Sequence, residues 1–197
     1  QRIAQLIFVR ANYANKSYIQ YIDTLIADYN IGGVVFFSGD PISQVKQTNH
    51  WNSLAKTPLF IAIDAEWGLG MRLSNTIKYP LQMTLGAISD NNLIYAMGQQ
   101  IGEQCKRMGI HINFAPVVDV NSNPKNPVIG MRSFGQNPQL VAEKGSSYMK
   151  GLQSKGIIAS AKHFPGHGNT YKDSHKDLPE VSSPLQALLN IDLYPFQ

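Results

Sequence analysis

Cysteine is nearly missing from this chain. Cys105 is the only one in 197 residues, which excludes an internal disulfide and any multi-cysteine metal site. Lying in a helical pattern, it reads as a small buried hydrophobe. Charge is sparse too, at 15% of residues. The 17 basic and 13 acidic side chains form no consecutive basic run, so nothing points to a nucleic-acid partner. No apolar stretch reaches the length of a membrane span, and no signal peptide opens the chain. The first residues, QRIAQLIFV, run almost directly into a strand. That start suggests a trimmed or processed chain, so compartment is left open.

What is present is 43% hydrophobic residues, enough for one sizeable core, arranged as alternating strand-like and helix-like segments. Strands are expected over residues 5–11, 32–39, 58–66 and 156–164 and within 109–120, each a short apolar run, that of 5–11 with β-branched members and that of 32–39 bounded by glycines. Between them lie helical patterns. Ile19, Ile22, Leu25, Ile26 and Tyr29 share one face; residues 42–55 form a second helix; Leu93, Met97, Ile101, Cys105 and Met108 mark a third. Pro138 suits the first turn of a fourth, and PLQALLNIDLYPF begins another. Repeated βα units with nearly continuous apolar strands give a parallel sheet covered by helices. A doubly wound sheet would carry a glycine fingerprint after its first strand, and FVRANYAN has none. Polar residues instead gather at strand ends, with Asp64 after the third, Asp119 near the fourth, and Lys162 and His163 at the fifth. That placement favours a (β/α)8 TIM-type barrel. Only about five of its eight βα units are visible, so the chain is expected to be the N-terminal portion of a longer barrel. The remaining strands would come from sequence beyond Gln197, because a five-stranded arc would expose two apolar edges.

The densest chemistry is the loop KHFPGHGNTYKDSH, residues 162–175. Three readings compete for it. It could be a polar turn whose histidines satisfy nearby backbone groups. It could be a metal site using His163, His167 and His175, although the first strand supplies no histidine of the kind barrel metallohydrolases use. Or it could serve acid–base catalysis, with Asp173 accepting a hydrogen bond from His175, fixing its tautomer and favouring the protonated ring. Gly166 and Gly168 would let such a loop fold over a substrate.

KHFPGHG followed by DSH resembles the signature of glycoside hydrolase family 3, in its β-N-acetylglucosaminidase branch. GGVVFFSG, IDAEWGLGMRL, GIHINFAPVVDV, VIGMRSFG and LYPFQ are similar to further segments of that family, so the resemblance spans nearly the whole chain. It implies a retaining glycosidase acting on terminal N-acetylglucosamine, as in cell-wall glycans, with no cofactor and no metal. His175 would be the acid/base, coupled to Asp173, and an aspartate beyond Gln197 the nucleophile. Without that aspartate the fragment alone would be inactive. The same resemblance assigns sugar contacts to Asp64, Arg72, Arg132, Lys162 and His163. His167 is expected to organise the loop and Asp119 to be structural. Trp67 stands where the family usually has glycine, and there it would narrow the site or offer a stacking plate. A catalytically silent sugar-binding barrel and a metal-dependent barrel hydrolase are the alternatives of other classes.

Overall fold

The computed structural model describes residues 2–11, 15–172, 178, 180–181 and 183–197. Five parallel strands, β1 (Phe8–Ala11), β2 (Gly33–Phe36), β3 (Phe60–Ile63), β4 (Ile112–Asn113) and β5 (Ile158–Ala159), pair in the order β1-β2-β3-β4-β5. Their register brings Ala11, Phe36, Ile63, Asn113 and Ala159 to one level across the sheet. The helices are α1 (Lys16–Ala27), α2 (Pro41–Leu54), α3 (Gln82–Gly86), α4 (Asn91–Arg107), α5 (Pro138–Gln153) and α6 (Leu185–Ala187). Strand order equal to chain order, with helical crossovers, is the winding of a TIM-type (β/α) barrel, of which these are five βα units. A doubly wound sheet reverses its order partway.

Local chemistry starts each long helix. Asn15 accepts hydrogen bonds from the amides of Ser17 and Tyr18 ahead of α1. Asp40 caps α2, Asp90 caps α4 and Asn137 caps α5, and Pro41 and Pro138 occupy first-turn positions that need no amide. β2 is buried on both faces, as a strand under helices must be. Ile22 and Ile26 of α1 and Trp51 of α2 pack down on the sheet, the Trp51 ring 5.9 Å from that of Phe36. α4 and α5 cross closely. A Cβ at Gly98 would stand 2.5 Å from the carbonyl oxygen of Tyr148, and one at Gly151 only 2.3 Å from that of Tyr95.

The sequence placed some residues differently. Leu93 is 57% exposed, and its neighbour Ile94 takes the buried position on α4. Tyr29 lies beyond the end of α1 and is exposed. The fourth and fifth strands are far shorter than expected. The Ala115 amide turns back onto the Asn113 carbonyl and Pro116 has none to donate, so regular pairing stops at Asn113 and Ala159, and among the described residues a single further bridge joins Val117 to Lys162. After α6 the chain makes a π turn (Leu188–Asp192) and a 3-10 turn (Tyr194–Phe196) rather than one continuous helix. Among the described residues no helix is long and apolar enough to cross a membrane.

Candidate functional site

The site is built at the C-terminal ends of the strands. Past the end of β3 the backbone alternation puts Asp64 and Glu66 on one side and Ala65 on the other. The Ala65 peptide is held from behind. Its amide donates to Asn113 Oδ1 at 2.9 Å, and its carbonyl accepts from Asn113 Nδ2 at 3.2 Å and from the Tyr148 hydroxyl at 3.0 Å. Both Asn113 and Tyr148 are fully buried, so the segment carrying the two acids is rigidly seated.

Cations from three other segments converge on those acids. Lys162, just after β5, stands 2.7 Å from Asp64 Oδ1 and 2.8 Å from Glu66 Oε1. Arg132, from a one-turn helix between β4 and α5, donates through Nε to Glu66 Oε2 at 3.0 Å and through Nη2 to Oε1 at 2.7 Å. This is the two-pronged geometry in which a guanidinium matches a carboxylate. Arg72 donates from Nη2 to Asp64 Oδ2 at 3.1 Å and lies over the Phe37 ring, 4.9 Å from its centroid. Burial pushes the Glu66 carboxyl up. The hydrogen bond from Arg132 and the positive charges of Lys162 and Arg132 more than offset it, and the group sits below its ordinary 4.5.

A second cluster lies beside the first. Asp119, wholly buried, accepts from His163 Nδ1 at 2.6 Å, from the His163 amide at 3.2 Å and from the His167 amide at 2.6 Å. His163 Nε2 faces Arg132 Nη2 at 3.4 Å. Asn126 ties the β4–α5 connection to the histidine loop. Its Nδ2 donates to the carbonyls of His167 and Thr170, and its Oδ1 accepts from the amides of Val128 and Ile129.

These groups line a cleft of about 550 Å³. One wall carries Asp64, Glu66, Arg72, Arg132, Lys162 and His163, and the other surfaces are supplied largely by Phe37, Met71, Phe114 and Val128. The structure therefore brings together all five residues singled out as sugar contacts. Asp119 sits behind His163, outside that lining. His167 borders the cleft but is nearly buried, engaged through its backbone and through Nδ1 with Thr170 Oγ1. Trp67 is not among the described residues that line the cleft. Sequence reasoning passed over Glu66, although its spacing from Asp64 was a usable signal, since alternate residues of a strand share a face. The proposed dyad, His175 with Asp173, lies outside the described residues. Among the described residues no group of three or more His, Cys, Asp or Glu is placed to hold a metal ion.

The family model for the glycosyl hydrolase family 3 N terminal domain matches residues 1–197. Beta-hexosaminidase A of Pseudoalteromonas piscicida is 38% identical over 188 residues, covering 89% of this chain and 31% of that protein. Beta-hexosaminidase LpqI of Mycobacterium tuberculosis is 31% identical, covering all of this chain and 50% of its own length. The chain thus spans from about a third to half the length of the curated relatives it matches. Among solved structures, a glycoside hydrolase family 3 beta-N-acetylglucosaminidase from Paenibacillus superposes with a TM-score of 0.90 at 37% identity, covering 99% of this chain and 38% of that one. NagZ from Neisseria gonorrhoeae, solved in complex with N-trifluoroacetyl-D-glucosamine, gives 0.84 at 29% identity over 96% of this chain and 58% of its own. With its whole length matched and its strand-end cleft in place, the chain belongs to the glycosyl hydrolase family 3 N-terminal domain.

Proposed function

We propose that the protein carrying this chain is a retaining, exo-acting β-N-acetylhexosaminidase that removes terminal N-acetylglucosamine from glycans such as cell-wall fragments. The observation that carries this reading is the cleft itself. Hydrogen-bonding groups of both kinds share one wall and apolar groups face the remainder, as the hydroxyl rim and C–H faces of a pyranose require. The relatives' names and the glucosamine derivative bound to NagZ point the same way. Asp64 would accept from sugar hydroxyls, and Arg72, Arg132, Lys162 and His163 would complete the grip. His175 would protonate the leaving oxygen and later deprotonate water, with Asp173 orienting it, and an aspartate from beyond Gln197 would form the glycosyl intermediate.

The native polypeptide, given an aryl N-acetyl-β-glucosaminide, is expected to release the aglycone with the β anomer of the sugar forming first, as NMR would show. His175→Ala and Asp173→Ala should each cut kcat by at least about 10²-fold, the usual contribution of a general acid–base. No turnover of any N-acetyl-β-glucosaminide by the native protein would defeat the proposal. Turnover untouched by both substitutions would defeat the dyad.

A further inference from the structure

We infer that Asp119 is a positioning residue for sugar recognition: its buried carboxylate fixes His163 as the Nδ1–H tautomer, so that Nε2 meets the sugar as a hydrogen-bond acceptor. This rests on the sugar-cleaving reading above and adds to it a residue that does not itself touch the cleft. Three N–H groups aim at Asp119, the amides of His163 and His167 and the His163 ring through Nδ1. A carboxylate has no proton to give, so at 2.6 Å the ring nitrogen must be the donor. The other nitrogen of a neutral imidazole then carries only a lone pair. Geometry on the far side of the ring agrees independently. Nε2 faces Arg132 Nη2 at 3.4 Å, and a guanidinium only donates. Arg132 cannot turn away, because Glu66 holds it at two points. An Nε2–H tautomer would set two donors against each other.

The consequence is specific. The other polar groups on this wall are largely committed to one another, as Lys162 and Arg72 are to Asp64 and Lys162 and Arg132 are to Glu66. His163 Nε2 and Arg132 Nη2 form an acceptor and a donor side by side, linked only by a long contact. One sugar hydroxyl can donate to the first and accept from the second. A hydroxyl does both at once, whereas a carboxylate, an ether or an ammonium head cannot.

The tautomer can be read without any turnover. In the 15N-labelled native polypeptide, two-dimensional 15N–1H spectra of the imidazole side chains, with His163→Gln used for assignment, should show His163 as Nδ1–H. An Nε2–H pattern overturns the inference, and does so even if the protein hydrolyses nothing. For function, Asp119→Asn replaces one acceptor oxygen by an NH2, so either His163 or His167 must face a donor. The expected result is a KM raised ~3–10-fold, the usual scale of one net hydrogen bond, with a smaller change in kcat and a His163 ring moved towards Nε2–H. Among monodeoxy N-acetylglucosaminides, the penalty should vanish for the one analogue lacking the bridging hydroxyl, and it should vanish in the His163→Ala background. An equal penalty on every analogue, with the tautomer unchanged, would mean that Asp119 only holds the fold together and would overturn the inference. Should Asp119→Asn fail to fold, the native spectrum and the response of His163→Gln to the same deoxy series still decide.

Discussion

Replacing Glu66 by glutamine keeps the shape of the side chain and removes its charge. The carboxylate is 1% exposed and takes two hydrogen bonds from Arg132, with Lys162 at 2.8 Å. A glutamine amide has one oxygen to offer three donors, and its NH2 must face one of them. Removing one partner of a buried ion pair costs about 3–5 kcal/mol. Lys162 keeps Asp64 as a second partner, which favours the lower end, about 3 kcal/mol. Thermal and urea unfolding of the native polypeptide and of Glu66→Gln would measure it. The pH dependence identifies the cause. Because the folded carboxyl titrates below its unfolded value, its stabilisation is complete above about pH 4.5 and is lost as pH falls through the depressed folded value. The gap between wild type and Glu66→Gln should therefore be constant near neutrality and close in acid. A loss under about 1 kcal/mol, within the range of exposed pairs, or a gap that persists unchanged in strong acid would refute the reasoning.

Other substitutions test the layers beneath the site. Tyr148→Phe removes one of the two side-chain donors to the Ala65 carbonyl; it should cost about 1 kcal/mol in urea unfolding and raise KM for the sugar, and an unchanged KM would mean that Asn113 alone seats the segment. Gly98→Ala should destabilise by roughly 1–3 kcal/mol through overpacking against the Tyr148 backbone, whereas a gain in stability, as at an exposed helical glycine, would mean the crossing is looser than described. Burial pushes the Cys105 thiol up to about 12, so a thiol reagent at pH 8 should leave the native protein unlabelled and react once it is unfolded; rapid native labelling would contradict that.

Alternation of apolar strands with helical patterns carried the architecture, because a parallel sheet under helices requires buried strands such as β2. Asp64, Lys162 and His163 could be placed at strand ends for the same reason. Strand lengths could not be foreseen: apolar residues continue through Ala115, Pro116 and Val117, and what ends the ladder is a backbone turn, with the Ala115 amide bonded back to the Asn113 carbonyl, rather than a change in hydropathy. On α4, Leu93 and Ile94 differ by one position and are chemically alike, so only the direction of the α4–α5 crossing decides which is buried. Glu66 was passed over because its role lies in partners 66 and 96 residues further along the chain, Arg132 and Lys162, which spacing alone does not join.

The paired charges of the cleft also set how it meets a ligand from afar. Asp64, Glu66 and the adjoining Asp119 stand against Arg72, Arg132 and Lys162, three of each sign. At distances beyond the screening length of about 8 Å in physiological salt their fields largely cancel. Taken by themselves these six groups neither steer nor repel a passing ion, and they engage by short-range fit. A charged glycoside should therefore feel little net pull from them at ordinary ionic strength.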